Sequence, residues 1–184
     1  MRAEIQSLIK IQQEVNKKVN EKLEKTPEGD DYLLAFNTEL FEYFNAVGTW
    51  KWWKHNHSLN REKILDELAD CFAFFLSVID YENELALFAD RDGFLDDVEE
   101  DMNEILSTLI EHQEKHDYDR DEIINDLIKY IGTDNEIEAI PTIERFSIAI
   151  FITFLLFDGI TWDEITKAYR EKSKINIERQ VQNY

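Results

Sequence analysis

Along most of the chain, apolar residues recur at steps of three and four, the period of a helix with one face turned inward. Ile5, Leu8, Ile9, Val15 and Val19 mark such a face, with the amides Gln12 and Asn16 set into it. They predict a helix over Arg2–Lys25, closed by Thr26-Pro27-Glu28-Gly29. A second helix is expected over Asp31–Val47, stopped by Gly48. Asn60 suits the cap of a third over Arg61–Glu84, whose inward residues include Ile64, Leu68, Phe72, Phe75 and Ile79. Between these two, the Trp-rich stretch Thr49–Ser58 has no clean period and reads as a loop. Further helices fit Gly93–Lys115, Arg120–Ile131 and Asn135–Phe157, and Thr161 with Glu164 has the spacing of a capping box opening a last helix to about Gln180. With five Gly, two Pro, no repeat and no linker, the expectation is a single all-α domain, a helical bundle over residues 1–184. The stretch Phe146–Phe157 is apolar nearly all round but is twelve residues long, short of the ~20 a membrane span needs. It belongs in the centre of the bundle or at a dimer interface.

Charge narrows the function. Forty Asp and Glu against twenty Lys and Arg give a net charge of −20, which argues against docking on DNA, RNA or an anionic membrane. A hydrophobic share of 43% is too high for a disordered acidic tail. The single Cys71 excludes an intramolecular disulfide framework and reads as a small buried hydrophobe, and the start MRAEIQSLIK lacks the apolar core of a signal peptide, so the cytoplasm is the expected compartment.

In so acidic a chain, acids three apart are common: Asp96/Glu99, Asp97/Glu100, Asp101/Glu104 and Glu111/Glu114 read as solvated helix faces. Glu39/Glu42 and Glu67/Asp70 differ in their surroundings. Glu67 points with Cys71, Phe74 and Val78, at the margin of an apolar arc, and Glu39 borders Tyr32, Phe36 and Tyr43. Two such helices packed antiparallel face four carboxylates toward one another, and four anions that close need a cation. An all-oxygen site predicts Mg²⁺ or Mn²⁺. The plainer alternative is helix-margin salt bridges to Lys51, Lys54 or Lys63.

Glu39-Leu40-Phe41-Glu42 followed by Glu67-Leu68-Ala69-Asp70 resembles the paired ExxE and ExxD signature of the all-α nucleotide pyrophosphatases, which include MazG-like enzymes and dimeric dUTPases. Three more segments resemble the dimeric dUTPase branch: Leu8–Asn16 with its Gln and Asn, Thr49-Trp50-Lys51-Trp52-Trp53-Lys54, and Tyr169–Lys172 with Asn176-Ile177-Glu178-Arg179-Gln180 and Tyr184. The likeness covers roughly Leu8–Ile79 and Trp162–Tyr184; the middle, about Asn83–Ile143, carries none of these motifs. The chain departs from the family where Asn183 stands in place of a Gly and Ala73 in place of a His found in some members.

The resemblance implies Mg²⁺-dependent hydrolysis of dUTP, and of dUDP, to dUMP by a homodimer, with in-line attack on the β phosphorus. It implies that Glu39, Glu42, Glu67 and Asp70 hold the metal, with Glu39 as the base that orients water. Lys172 and Arg179, seven residues apart, can reach one side of the last helix and meet the polyphosphate, as can Lys51, Lys54 and Tyr184. Uracil presents an N–H between two carbonyls, an edge that amides match, so Gln12, Asn16 and Asn176 suit it. A helix-to-helix hydrogen bond in the core is the competing role for Gln12 and Asn16. Phe74 is a candidate to stack on the base or pack against the sugar, and Trp50 and Trp53 to close over the base. Two rival functions are weighed. One is a related pyrophosphatase acting on dCTP or damaged nucleotides. The other is an acidic interaction protein or DNA mimic, and the same acidic surface suits a protein partner of an enzyme.

Overall fold

The computed structural model describes residues 4–48, 51, 53, 59–89, 92–115, 139–157 and 160–182. These residues form six helices: α1 (Ile5–Asn20), α2 (Gly29–Val47), α3 (Arg61–Phe88), α4 (Phe94–Lys115), α5 (Ala139–Leu156) and α6 (Trp162–Val181). No strand occurs among them. The helix expected over Arg120–Ile131 lies outside the described residues.

The boundaries follow local chemistry. Gly48 ends α2 in a left-handed conformation, φ 68°, which a residue without Cβ adopts at no steric cost, and its N–H reaches Phe44 O at 2.8 Å. Asn60 caps α3, its Oδ1 accepting from Lys63 N at 3.1 Å. The capping box of α6 is closed both ways: Thr161 Oγ1 accepts from Glu164 N and Glu164 Oε2 accepts from Thr161 N. Pro141 sits in the first turn of α5, where a missing N–H costs nothing. Two helices differ in length from the expectation. α1 stops at Asn20, where its buried face has run out, and turns tightly through Leu23. α3 runs to Phe88, one turn past Glu84, and that turn buries Ala86 but leaves Leu85, Leu87 and Phe88 exposed.

α3 is the axis of the bundle. Its Phe72 lies 4.6 Å from Phe146 of α5, 5.0 Å from Tyr169 and 5.7 Å from Trp162 of α6, centroid to centroid, and Phe75 stacks on Phe146 at 4.4 Å. Ring contacts of this kind add to the area they bury. α5 fills the central position: Ile143, Phe146, Ala149, Ile150, Phe151 and Ile152 are all buried by the chain itself. Tyr43 of α2 reaches it with a hydroxyl shared with Ala149 O and Thr153 Oγ1 at 2.9 and 2.8 Å. Among the described residues no helix is long and apolar enough to cross a membrane.

Candidate functional site

α2 and α3 lie antiparallel. Glu39 neighbours Glu67 and Asp70, Phe36 packs on Phe75, and Tyr32 shares a cavity with Ser77, so position falls along one helix as it rises along the other. Helical spacing of three puts Glu67 and Asp70 on one face of α3, and that face meets Glu39. One carboxylate oxygen from each of Glu39, Glu67 and Asp70 lies within 4.8 Å of the other two. Burial pushes the Glu39 carboxyl up to about 7, with the charges of Asp70, Glu42 and Glu67 acting the same way against Lys172. Burial also raises Glu67, opposed by Lys63 at 3.8 Å, and Asp70, opposed by Lys172. Like charges held half out of water favour the protonated form until a cation arrives. Three hard oxygen donors this close could hold a metal ion. Glu42 is exposed and stands outside this trio, acting on Glu39 and Glu67 through its charge.

Two cations of α6 approach the trio. Lys172 Nζ lies 2.8 Å from both Asp70 Oδ2 and Asp66 Oδ1, so one lysine ties a member of the trio to a carboxylate one turn earlier on α3. Arg179 is exposed, yet near enough that its charge lowers Asp70. A cavity of about 700 Å³ opens beside this pair, lined by Lys63, Asp66, Glu67, Glu171 and Lys172. Lys51 is half-buried and donates to Asn45 O at 2.8 Å. Lys54, Trp50 and Tyr184 lie outside the described residues.

Seven residues beyond Asp70, or about 10 Å along α3, a second cavity of about 430 Å³ is walled by Asn16, Tyr32, Ser77, Asp80 and Tyr81. Asp80 is 8% exposed, accepts from Gln13 Nε2 at 2.8 Å, and is raised by burial. Asn16 lines this cavity; Gln12 does not. Gln12 is 3% exposed, with Oε1 accepting from Tyr169 at 3.0 Å and Nε2 donating to Asn16 Oδ1 at 2.9 Å. It plays the core hydrogen-bonding role weighed against base contact, and it supports Asn16 from behind. Asn16 Nδ2 in turn donates to Ser77 Oγ at 3.1 Å. Phe74 is half-buried and packs on the core, Asn176 is half-buried on α6, and Trp53 is 50% exposed at a turn.

Asp66, Ser77 and Asp80 escaped the sequence reading, and Tyr169 entered it as part of a motif with no role of its own. Asp66 had one available signal, its position one turn before Asp70.

The model of the dUTPase family matches residues 4–184 of the chain. No curated protein matches it. The chain belongs to the dUTPase family, and the all-α fold agrees with the all-α members of that family. It is a dUTP diphosphatase, a hydrolase that converts dUTP to dUMP.

Proposed function

We propose that this dUTPase works with Mg²⁺, or Mn²⁺ in its place, held by Glu39, Glu67 and Asp70 with Glu42 as the outer fourth carboxylate. It releases pyrophosphate from dUTP and phosphate from dUDP by in-line attack of water on the β phosphorus. The observation that carries the metal reading is the convergence of three carboxylate oxygens within 4.8 Å on two antiparallel helices. When bound, the cation neutralises phosphate oxygens and acidifies a water. Glu39, half-buried among like charges and deprotonated once a cation offsets them, suits a base that takes the proton of that water. Lys172 already lies against the trio, and it and Arg179 bring positive charge to the polyphosphate from α6.

The base enters the cavity beside Asn16, two helical turns along α3 from Asp70, with Asn176 as a further amide and Phe74 against the ring or sugar. The resemblance assigns Trp50 and Trp53 to the base and Lys51, Lys54 and Tyr184 to the phosphates. A cytoplasmic homodimer completes this reading. Leu34 and Phe41, seven apart on α2 and 69% and 49% exposed, give one helix face an apolar patch suited to a second copy.

The test is release of dUMP, pyrophosphate and phosphate from dUTP, dUDP, dCTP, dTTP and UTP, with Mg²⁺ and with a chelator. Selective, metal-dependent dUMP production supports the reading. Equal turnover in the chelator would remove the metal role, and preference for dCTP would remove the base assignment while keeping the carboxylate site.

A further inference from the structure

A run of hydrogen bonds, buried at Tyr169 and partly buried at Asn16, crosses three helices and ends at the wall of the cavity beside Asn16. Tyr169 of α6 donates to Gln12 Oε1 at 3.0 Å, Gln12 Nε2 donates to Asn16 Oδ1 at 2.9 Å, and Asn16 Nδ2 donates to Ser77 Oγ at 3.1 Å. Ser77 spends its own proton on Ala73 O at 3.0 Å. The run has a direction. A hydroxyl owns one proton, so Tyr169 facing Gln12 as a donor turns the Gln12 carbonyl toward itself and leaves the Gln12 N–H for Asn16. At the far end, Ser77 can only accept from Asn16 once its proton is committed to the backbone.

The reverse arrangement gives up a bond at each end. Tyr169 would turn from Gln12 at 3.0 Å to Leu8 O at 3.4 Å, and Ser77 would leave Ala73 O, now at 3.0 Å, to donate to a turned Asn16 carbonyl. Both ends therefore favour the forward direction. Tyr169 is fully buried and its hydroxyl is pushed up to about 12, so it remains a donor across the neutral range. Asn16 is half-buried and lines the cavity, which leaves one N–H and one carbonyl lone pair to meet a ligand.

We propose that Tyr169 and Ser77 are positioning residues for base discrimination: through Gln12 they lock the amide of Asn16 in one orientation, so that it pairs with uracil and refuses cytosine. The proposal rests on the base-site reading above. Uracil offers an N–H beside its carbonyls, whereas cytosine offers an acceptor nitrogen beside an amino group. A locked amide matches the first and leaves polar groups unpaired against the second. An amide free to turn by half a revolution serves both.

The decisive experiment measures kcat/KM for dUTP and dCTP, with Mg²⁺, in the wild type, Tyr169→Phe and Ser77→Ala, together with melting temperature. Tyr169→Phe keeps the ring that packs 5.0 Å from Phe72 and removes only the hydroxyl. The dUTP/dCTP ratio is expected to fall about tenfold or more in each variant, with kcat on dUTP held within about threefold in Tyr169→Phe, whose side chain does not line the cavity. A purely structural defect lowers both substrates together and leaves the ratio alone, so an unchanged ratio in a folded variant overturns the proposal. Ser77→Ala carries the same readout should Tyr169→Phe not fold. Failure of the base-site reading is separately visible: the wild type would show no preference between dUTP and dCTP, which would overturn the relay with it.

Discussion

Glu67/Asp70 on α3 and Asp96/Glu99 on α4 share one spacing and one pair of residue types, yet the fold uses them in opposite ways. The α3 pair is turned toward α2, with side chains 16% and 23% exposed, and lies against a third carboxylate. The α4 pair faces the start of α1, where Asp96 Oδ1 accepts from Gln6 Nε2 at 2.7 Å and Glu99 Oε1 from Gln6 N at 3.1 Å. Spacing puts two acids on one face of a helix. What that face meets decides between a strained cluster of like charges and a set of satisfied acceptors.

The widest separation should appear in turnover. Glu67→Gln or Asp70→Asn removes a charge from the trio and is expected to cost about 100-fold or more in metal-dependent hydrolysis of dUTP. Asp96→Asn and Glu99→Gln should stay within about twofold of wild type. Comparable losses in both pairs would erase the distinction. Lys172→Met comes next: it removes the cation shared by Asp66 and Asp70. About a tenfold fall in kcat/KM is expected, with Arg179→Met smaller, since Arg179 is exposed.

Stability should move in the reverse sense. Folding raises the Glu39 carboxyl from its ordinary value near 4.5 to about 7. The folded state therefore binds that proton more tightly than the unfolded chain does. Its contribution is fully present below about pH 4.5 and is lost as pH rises through about 7. Glu67 and Asp70, also raised, act with the same sign. The metal-free protein should accordingly melt lower at pH 7.5 than at pH 5.5, and Glu39→Gln should flatten that slope. Mg²⁺ at about 100 times its Kd should raise the melting temperature at pH 7.5 by about 5–10 °C. Glu67→Gln, inactive, should melt higher than wild type without metal, because it relieves repulsion. Asp96→Asn should give no such gain.

Much of the fold was legible because the helix ends carry their own chemistry: Gly48, Asn60 and the Thr161/Glu164 pair each mark a boundary that the structure confirms. The ends of α1 and α3 were harder. Residues Glu21–Lys25 and Leu85–Phe88 have helical composition, and whether the helix continues depends on what lies beside it. At the site, the acids of α3 stand out because they border an apolar arc. Asp66 does not, since its place is fixed by Lys172 from a helix more than a hundred residues later. Gln12 has an ambiguity of another kind: an amide on an apolar face has the same sequence signature whether it meets a base or another helix.

The smallest effect tests the remaining half of the comparison, that the α4 acids have a structural task. α1 has no acidic residue in its first turn, and its N-cap Glu4 makes no side-chain capping bond. The first N–H groups of a helix need acceptors and favour negative charge. Glu99 supplies both from α4, accepting from Gln6 N in the first turn of α1. Glu99→Ala should therefore cost about 1 kcal/mol, as loss of a capping acceptor does, and lower the melting temperature by about 2–4 °C. Glu100→Ala, one position on and exposed, should change it by less than about 0.5 kcal/mol. If Glu99→Ala and Glu100→Ala melted together, the α4 acids would be a solvated face and nothing more. A shift confined to Glu99→Ala, with kcat on dUTP unchanged, would give this surface acid a structural role separate from the chemistry of α3.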